Sequence, residues 1–165
     1  MNTGQMLITV GAMMLLGMII LRVNNGFLTT GTVLMESKFG VLGVSLATSV
    51  IEEANSKAFD EETDTMSVNN VNMITAPNNL GPESGESYET FDDFDDYNGY
   101  SRIDSTMPSA VFHLDSKVEY VKDNEPDKVI TNKATWHKRI TVTVTSPSMQ
   151  DTVTMSSVFS YWFFR

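Results

Sequence analysis

The chain of 165 residues contains no cysteine. That absence excludes a disulfide framework, a thiol nucleophile and a thiolate metal site. Histidine is nearly missing as well. Only His113 and His137 occur, each inside a strand-like pattern and neither with a second ligand at metal spacing. Bases are scarce: 11 Lys and Arg stand against 21 Asp and Glu, for a net charge of −10. This balance argues against a nucleic acid partner, whose phosphates demand a basic face. There is no GxSxG, P-loop or HExxH pattern, and no carboxylate pair stands in a recognisable catalytic context. No haem-attachment motif is present, so no cofactor is expected, and the chain does not read as an enzyme.

The most informative scarcity is local. The first 35 residues hold one charge, Arg22. Within them runs an apolar stretch made of Met6, Leu7, Ile8, Val10, Met13, Met14, Leu15, Leu16, Met18, Ile19, Ile20 and Leu21, interrupted only by Thr9 and the small residues Gly11, Ala12 and Gly17. The uncharged segment from Met1 to Leu21 is long enough to cross a bilayer, for which about 20 residues suffice. It lacks the basic n-region and the A-x-A-like site of a cleaved secretory signal. Gly4, Gly11 and Gly17 would allow close approach of a neighbouring helix. A helix apolar on every side must be buried on every side. It therefore belongs in lipid, among copies of itself, or in both.

The sequence predicts two parts: residues 1–35, an apolar helix, and residues 36–165, a globular head. Between them, at about 24–32, Asn24, Asn25, Gly26 and Gly31 lie among threonines that form helix poorly, predicting a flexible joint where the helix melts or kinks. An amphipathic helix is predicted over 36–60, with Phe39, Leu42, Leu46, Val50, Ala54 and Ala58 on one face. Asp60, Glu61 and Glu62 at its C-terminal end oppose the helix dipole, predicting a frayed end. Residues 63–106 read as an irregular acidic loop, rich in turn signals. From 110 to 164 the pattern is a β-meander. Trp136, Lys138, Ile140, Val142 and Val144 alternate with His137, Arg139, Thr141, Thr143 and Thr145, as a half-buried strand does. Val153, Met155, Ser157, Phe159 and Tyr161 share one face of the partner strand. The aromatic end, Phe159 to Phe164, reads as a buried last strand, as a subunit contact, or as both. The expected fold is α+β: a long N-terminal helix, apolar in its first half and amphipathic in its second, packed on a C-terminal antiparallel sheet.

Two features of the head bear on binding. In the acidic loop, Asp92, Asp93, Asp95, Asp96 and Asn98 offer oxygen ligands of the kind calcium takes. The EF-hand spacing fails, since placing Gly99 at the invariant glycine puts Phe94 at the first ligand position. The favoured reading is a solvated acidic loop with Phe91, Phe94, Tyr97 and Tyr100 tucked against the domain. Charge is also divided unevenly. Lys57 is the only base between Glu52 and Asp96, whereas Lys117, Lys122, Lys128, Lys133, Lys138 and Arg139 cluster later. Acidic loop and basic sheet either dock between copies or balance within one copy.

An apolar N-terminal helix, an amphipathic continuation, an irregular loop and a terminal hairpin (Lys138 to Val144, then Asp151 to Met155) together resemble type IV pilins and pseudopilins. The run Phe91-Asp92-Asp93-Phe94-Asp95-Asp96-Tyr97-Asn98-Gly99-Tyr100 looks like the acidic-aromatic loop of many minor pilin-like proteins. The resemblance implies a short leader ending in glycine. Gly4 takes that place and Gln5 would follow the cut, but the leader has no basic residue and Thr9 stands where the family carries glutamate. It also implies a helical, homopolymeric extracellular filament on the cell surface, formed by the chain with itself. The precursor would be held in the inner membrane and handled by pilus-type assembly machinery. A minor pseudopilin, or a monomeric membrane-anchored binding module, is the alternative.

Overall fold

The computed structural model describes residues 2–161. One helix, α1 (Thr3–Asn55), takes up the apolar stretch and continues well beyond it. The chain divides into two units, Met1–Lys38 and Phe39–Arg165.

In the first unit the described residues are helical almost from the start, and their side chains are exposed. The predicted joint at 24–32 is not a break: Asn24, Asn25, Gly26 and Gly31 lie within uninterrupted α-helix. The hydroxyls of Thr29, Thr30 and Thr32 donate to the carbonyls of Asn25, Gly26 and Leu28 at 2.9, 2.9 and 3.0 Å. Those bonds satisfy the threonine hydroxyls without breaking the helix, though such back-bonding slightly weakens it. Asparagine, threonine and glycine weaken a helix by about 1 kcal/mol or less per residue, and none removes a ladder bond as proline does.

The second unit is built on an antiparallel sheet. Its strands are β1 (Ser101–Asp104), β2 (Phe112–Lys122), β3 (Glu125–Val129), β4 (His137–Thr145) and β5 (Val153–Ser160). The order is β1-β2-β4-β5, with β3 paired to β2 beyond a bulge at Val121/Lys122. Threonine and valine dominate β4, as strands favour. Its Lys138, Ile140, Val142 and Val144 are buried while the intervening residues are only partly covered. Register places Tyr120 and Phe159 on either side of Lys138.

The α1 residues of this unit bury Phe39, Gly43, Ala47, Val50, Ile51 and Ala54. Phe39 meets Phe112 edge-on at 6.5 Å between ring centres. A Cβ on Gly43 would stand 3.2 Å from a methyl of Val153, so this glycine and the buried alanines let the helix lie close to β5. The buried face is thus wider than the sequence stripe, and Leu42 and Leu46 are its partly buried rim.

Three boundaries differ from the sequence reading. The helix ends at Asn55, not 60. Asp60 instead caps a new short helix, α2 (Glu61–Thr65), so Glu61 and Glu62 occupy a first turn, where negative charge suits the dipole. Residues 63–106 are not simply irregular. They hold single 3₁₀ turns at Val71–Met73, Pro77–Asn79 and Asp95–Tyr97, and β1 starts at Ser101. Trp162, Phe163 and Phe164, expected in the last strand, lie outside the described residues.

Ile140 is fully buried at the centre of β4. Ile140→Ala is expected to cost about 2–5 kcal/mol through lost contacts and an unfilled cavity. Chemical denaturation checks this, and a loss below 1 kcal/mol would mean that the sheet repacks freely.

Candidate functional site

Two features stand out, one in each unit. The first is the apolar helix. Its large side chains are as exposed as if nothing were meant to be water: Leu7 is 74% exposed, Met13 74% and Leu15 62%. The same holds for Met6, Ile8, Val10, Met14, Leu16, Met18, Ile19, Ile20 and Leu21. By length and composition this helix can cross a membrane. Gly4, Gly11 and Gly17 have nothing within 4 Å of where a Cβ would stand. Among the described residues no packing calls for glycine at these positions. Gly4 and Gln5 are exposed first-turn residues of α1.

The second feature corrects the reading of the acidic loop as solvated. Asp92 is exposed, but Asp93, Asp95 and Asp96 are buried together with Phe91, Phe94 and Tyr97. The cause lies in the backbone. Ala58 and Asp93 form a parallel bridge, with Ala58 N–H donating to Asp92 O at 3.1 Å and Phe94 N–H to Ala58 O at 2.9 Å. The following 3₁₀ turn, Asp95–Tyr97, then drives acids and aromatics inward alike. Asp93 Oδ1 accepts from the N–H groups of Asp95 and Asp96 at 2.7 and 3.1 Å. Asp96 Oδ2 accepts from those of Asp92 and Asp93 at 2.9 and 3.1 Å.

At the centre of this region sits the ammonium of Lys138, fully buried. It donates to Phe59 O at 2.7 Å and Asp60 Oδ2 at 2.8 Å, and it touches Asp95 Oδ1. It also lies 4.7 Å from the centre of the Phe59 ring and 5.6 Å from that of Tyr120, close enough for cation–π attraction. Asp60 is held from several sides. It accepts from Thr75 N–H at 3.2 and 3.1 Å and from Glu62 N–H at 3.4 Å. Lys138 thus meets two buried carboxyls directly, Asp60 and Asp95, while those of Asp93 and Asp96 are buried in the same loop.

Protons must make up the deficit. Burial, followed by the Asp95 charge, pushes Asp93 up to about 8. Burial also raises Asp95 and Asp96. A carboxyl that binds its proton more tightly in the fold stabilises it fully below its unfolded value of 3.8. That contribution is lost as pH rises through about 8. Asp104, lowered by its bonds from the Thr106 hydroxyl and N–H, acts only at more acid pH. The melting temperature should therefore fall from about pH 5 to about pH 8. A flat or rising profile across that window would show that the cluster carries no bound proton.

Of the five residues that could offer calcium ligands, Asp92 is exposed, Asp93, Asp95 and Asp96 are buried, and Asn98 is tied to other partners. The Asn98 amide donates to Leu80 O at 2.8 Å and accepts from Val118 N–H at 3.0 Å, fastening the loop to the sheet. A different set, Glu83, Glu86 and Asp96, brings carboxyl oxygens within 4.8 Å of one another. Glu86 Oε2 is already used by Glu83 N–H at 2.9 Å. Burial and the hydrogen bond to Glu86 push Glu83 up to about 7. His137 meets Ser160 Oγ at 2.6 Å.

Most of the later bases pair with acids of the sheet itself, and Lys138 alone of them pairs with the acidic loop among the described residues. Lys117 and Arg139 pair with Glu119, Lys122 and Lys128 with Glu125, and Lys138 with Asp60 and Asp95. The cluster escaped the sequence reading although one signal was visible: Lys138 stands in the buried slot of an alternating strand, between Trp136 and Ile140. A lysine there needs a buried counter-ion, and the Phe-Asp-Asp-Phe-Asp-Asp-Tyr run is the richest acidic-aromatic segment of the chain. Neither a family model, nor a curated protein, nor a solved structure matches this chain.

Proposed function

We propose that the chain is the structural subunit of a helical, homopolymeric extracellular filament of the type IV pilus kind. The observation that carries this reading is the helix around Met6–Leu21, apolar on every side and exposed among the described residues. Before assembly the segment resides in the inner membrane; on assembly it leaves lipid for the same segments of neighbouring subunits. Lipid is as apolar as leucine, so burial alone gives no preference for the filament, and close packing must supply it. The open notch at Gly11 suits such approach. A head-to-tail contact that does not close generates an open helix. The sheet-bearing unit, acidic overall, supplies the water-facing exterior.

Electron microscopy of material sheared from producing cells, with mass analysis of the same sample, tests the proposal. Regular filaments whose sole protein is this chain are expected. Filaments of another protein with traces of this chain would make it a minor, tip-located subunit. Recovery only in the membrane fraction, with no filament containing it, would leave a membrane-anchored module. The same masses show whether Met1 to Gly4 is retained.

A further inference from the structure

The buried lysine cluster has the parts of a covalent cross-link. We propose that Lys138 and Asp95 condense to an intramolecular amide, joining β4 to the acidic-aromatic loop. The inference concerns the second unit alone and stands whether or not the chain polymerises.

Three observations carry it. Lys138 Nζ already touches Asp95, and both side chains are at most 1% exposed, so nucleophile and electrophile are held in contact with their rotational freedom lost. The surroundings exclude water: Phe59, Phe94, Tyr120 and Phe159 are buried around the pair, with Phe94 and Phe59 packing on Phe159 at 5.1 and 5.7 Å between ring centres. A dry pocket favours condensation, which releases water, over hydrolysis, which needs it. Finally, the oxygens are unequal. Asp60 accepts from Thr75, Glu62 and Lys138, so both its oxygens are held as acceptors. Asp95 Oδ2 and Asp93 Oδ2, by contrast, are buried with no N–H or O–H donor on either. A proton carried by Asp93 and passed to Asp95 would go to an oxygen that no other donor holds, making Oδ2 of Asp95 the oxygen able to leave.

The reaction balances without an added reagent. Asp60 takes one proton from the Lys138 ammonium, freeing the lone pair on Nζ. That pair attacks Cγ of Asp95 while Asp93 protonates Oδ2. The C–O bond to Oδ2 then breaks. The hydroxyl takes a second proton from nitrogen and departs as water, and the C–N bond is left as an amide with one N–H. Ammonium and carboxylate have become amide plus water, and Asp60 and Asp93 together hold one proton before and after. The remaining N–H is directed to Phe59 O or Asp60, the acceptors that Lys138 already uses. No oxidation occurs, which suits a chain with no cysteine.

Trypsin digestion of the full chain, solubilised in detergent and then fully denatured, provides the test. Trypsin does not cut after an acylated lysine. The expected product is therefore residues 58–102 joined to residues 134–139, with the summed mass less one water and fragment ions placing the bond between Asp95 and Lys138. Asp93→Asn, which keeps the shape but removes the carboxylic acid, should leave the two peptides separate in a protein whose circular dichroism is unchanged. Separate wild-type peptides, with cleavage after Lys138, would overturn the proposal and leave an ion pair. So would a bond mapped to Asp60.

Discussion

Lys138→Ala is expected to destabilise the sheet-bearing unit by about 3–5 kcal/mol, because it removes the buried side chain to which Asp60 and Asp95 are joined, by ion pair or by amide, and leaves those carboxyls without it. On a domain whose total stability is about 5–15 kcal/mol, that is a large fraction. Melting should drop by roughly 10–20 °C, judged by the usual conversion for a unit of this size. Removing the side chain also opens space among Phe59, Tyr120 and Phe159, so Lys138→Met is the informative companion. Methionine keeps most of the volume and removes the charge. If both variants lose stability at neutral pH and part of it returns on acidification, charge is the cause: protonated carboxyls no longer need a cation. If Met restores wild-type melting at every pH, the site is a packing site and the ionic account of the cluster fails.

A single carboxylate in the apolar helix should have the other large effect. Met13 lies near the middle of the Met6–Leu21 run and is 74% exposed in the isolated molecule. Met13→Asp adds about 3 kcal/mol to membrane insertion, on the scale measured for aspartate at a helix centre. That corresponds to a more than hundredfold shift away from the membrane, since 1.4 kcal/mol is about tenfold. In a filament every copy would carry an unpaired charge in the packed core, so assembly should be lost outright. The sheet-bearing unit does not depend on Met13, and its circular dichroism and its Lys138 cluster should be unchanged. Filaments of normal yield and diameter from this variant would show that the segment is not the polymer's core.

The α+β arrangement, with a long apolar N-terminal helix and a C-terminal antiparallel sheet, was legible because both signals are periodic. Residues such as Ile140, Val142 and Val144 report burial every second position, and Phe39, Val50 and Ala54 report it every third or fourth. What failed was information that is not periodic. Asn24, Asn25 and Gly26 look like a break only if propensity outweighs an intact hydrogen-bond ladder, and here it does not. Asp95 and Asp96 look solvated because aspartate is usually at the surface. Their burial is decided by Lys138, which is 43 residues from Asp95 and 78 from Asp60 along the chain. No local window contains both charges. The true end of α1 was missed for a related reason. Asp60 was weighed against the dipole of the helix before it, whereas it serves the one after it.

The unbroken helix through Asn24–Thr32 also has a mechanical consequence. These nine residues hold their helical form with the least intrinsic preference in the first unit, and three of their side-chain hydroxyls lean on the same carbonyls that carry the ladder. A helix rises about 1.5 Å per residue and an extended chain about 3.3 Å. Pulled along its axis, this stretch is the first to unwind, and it lengthens by roughly 16 Å in doing so. Such a segment should be rigid at rest and yield under load before the sheet is disturbed. Force–extension curves of the full chain should show this short step below the force that opens the β-sheet.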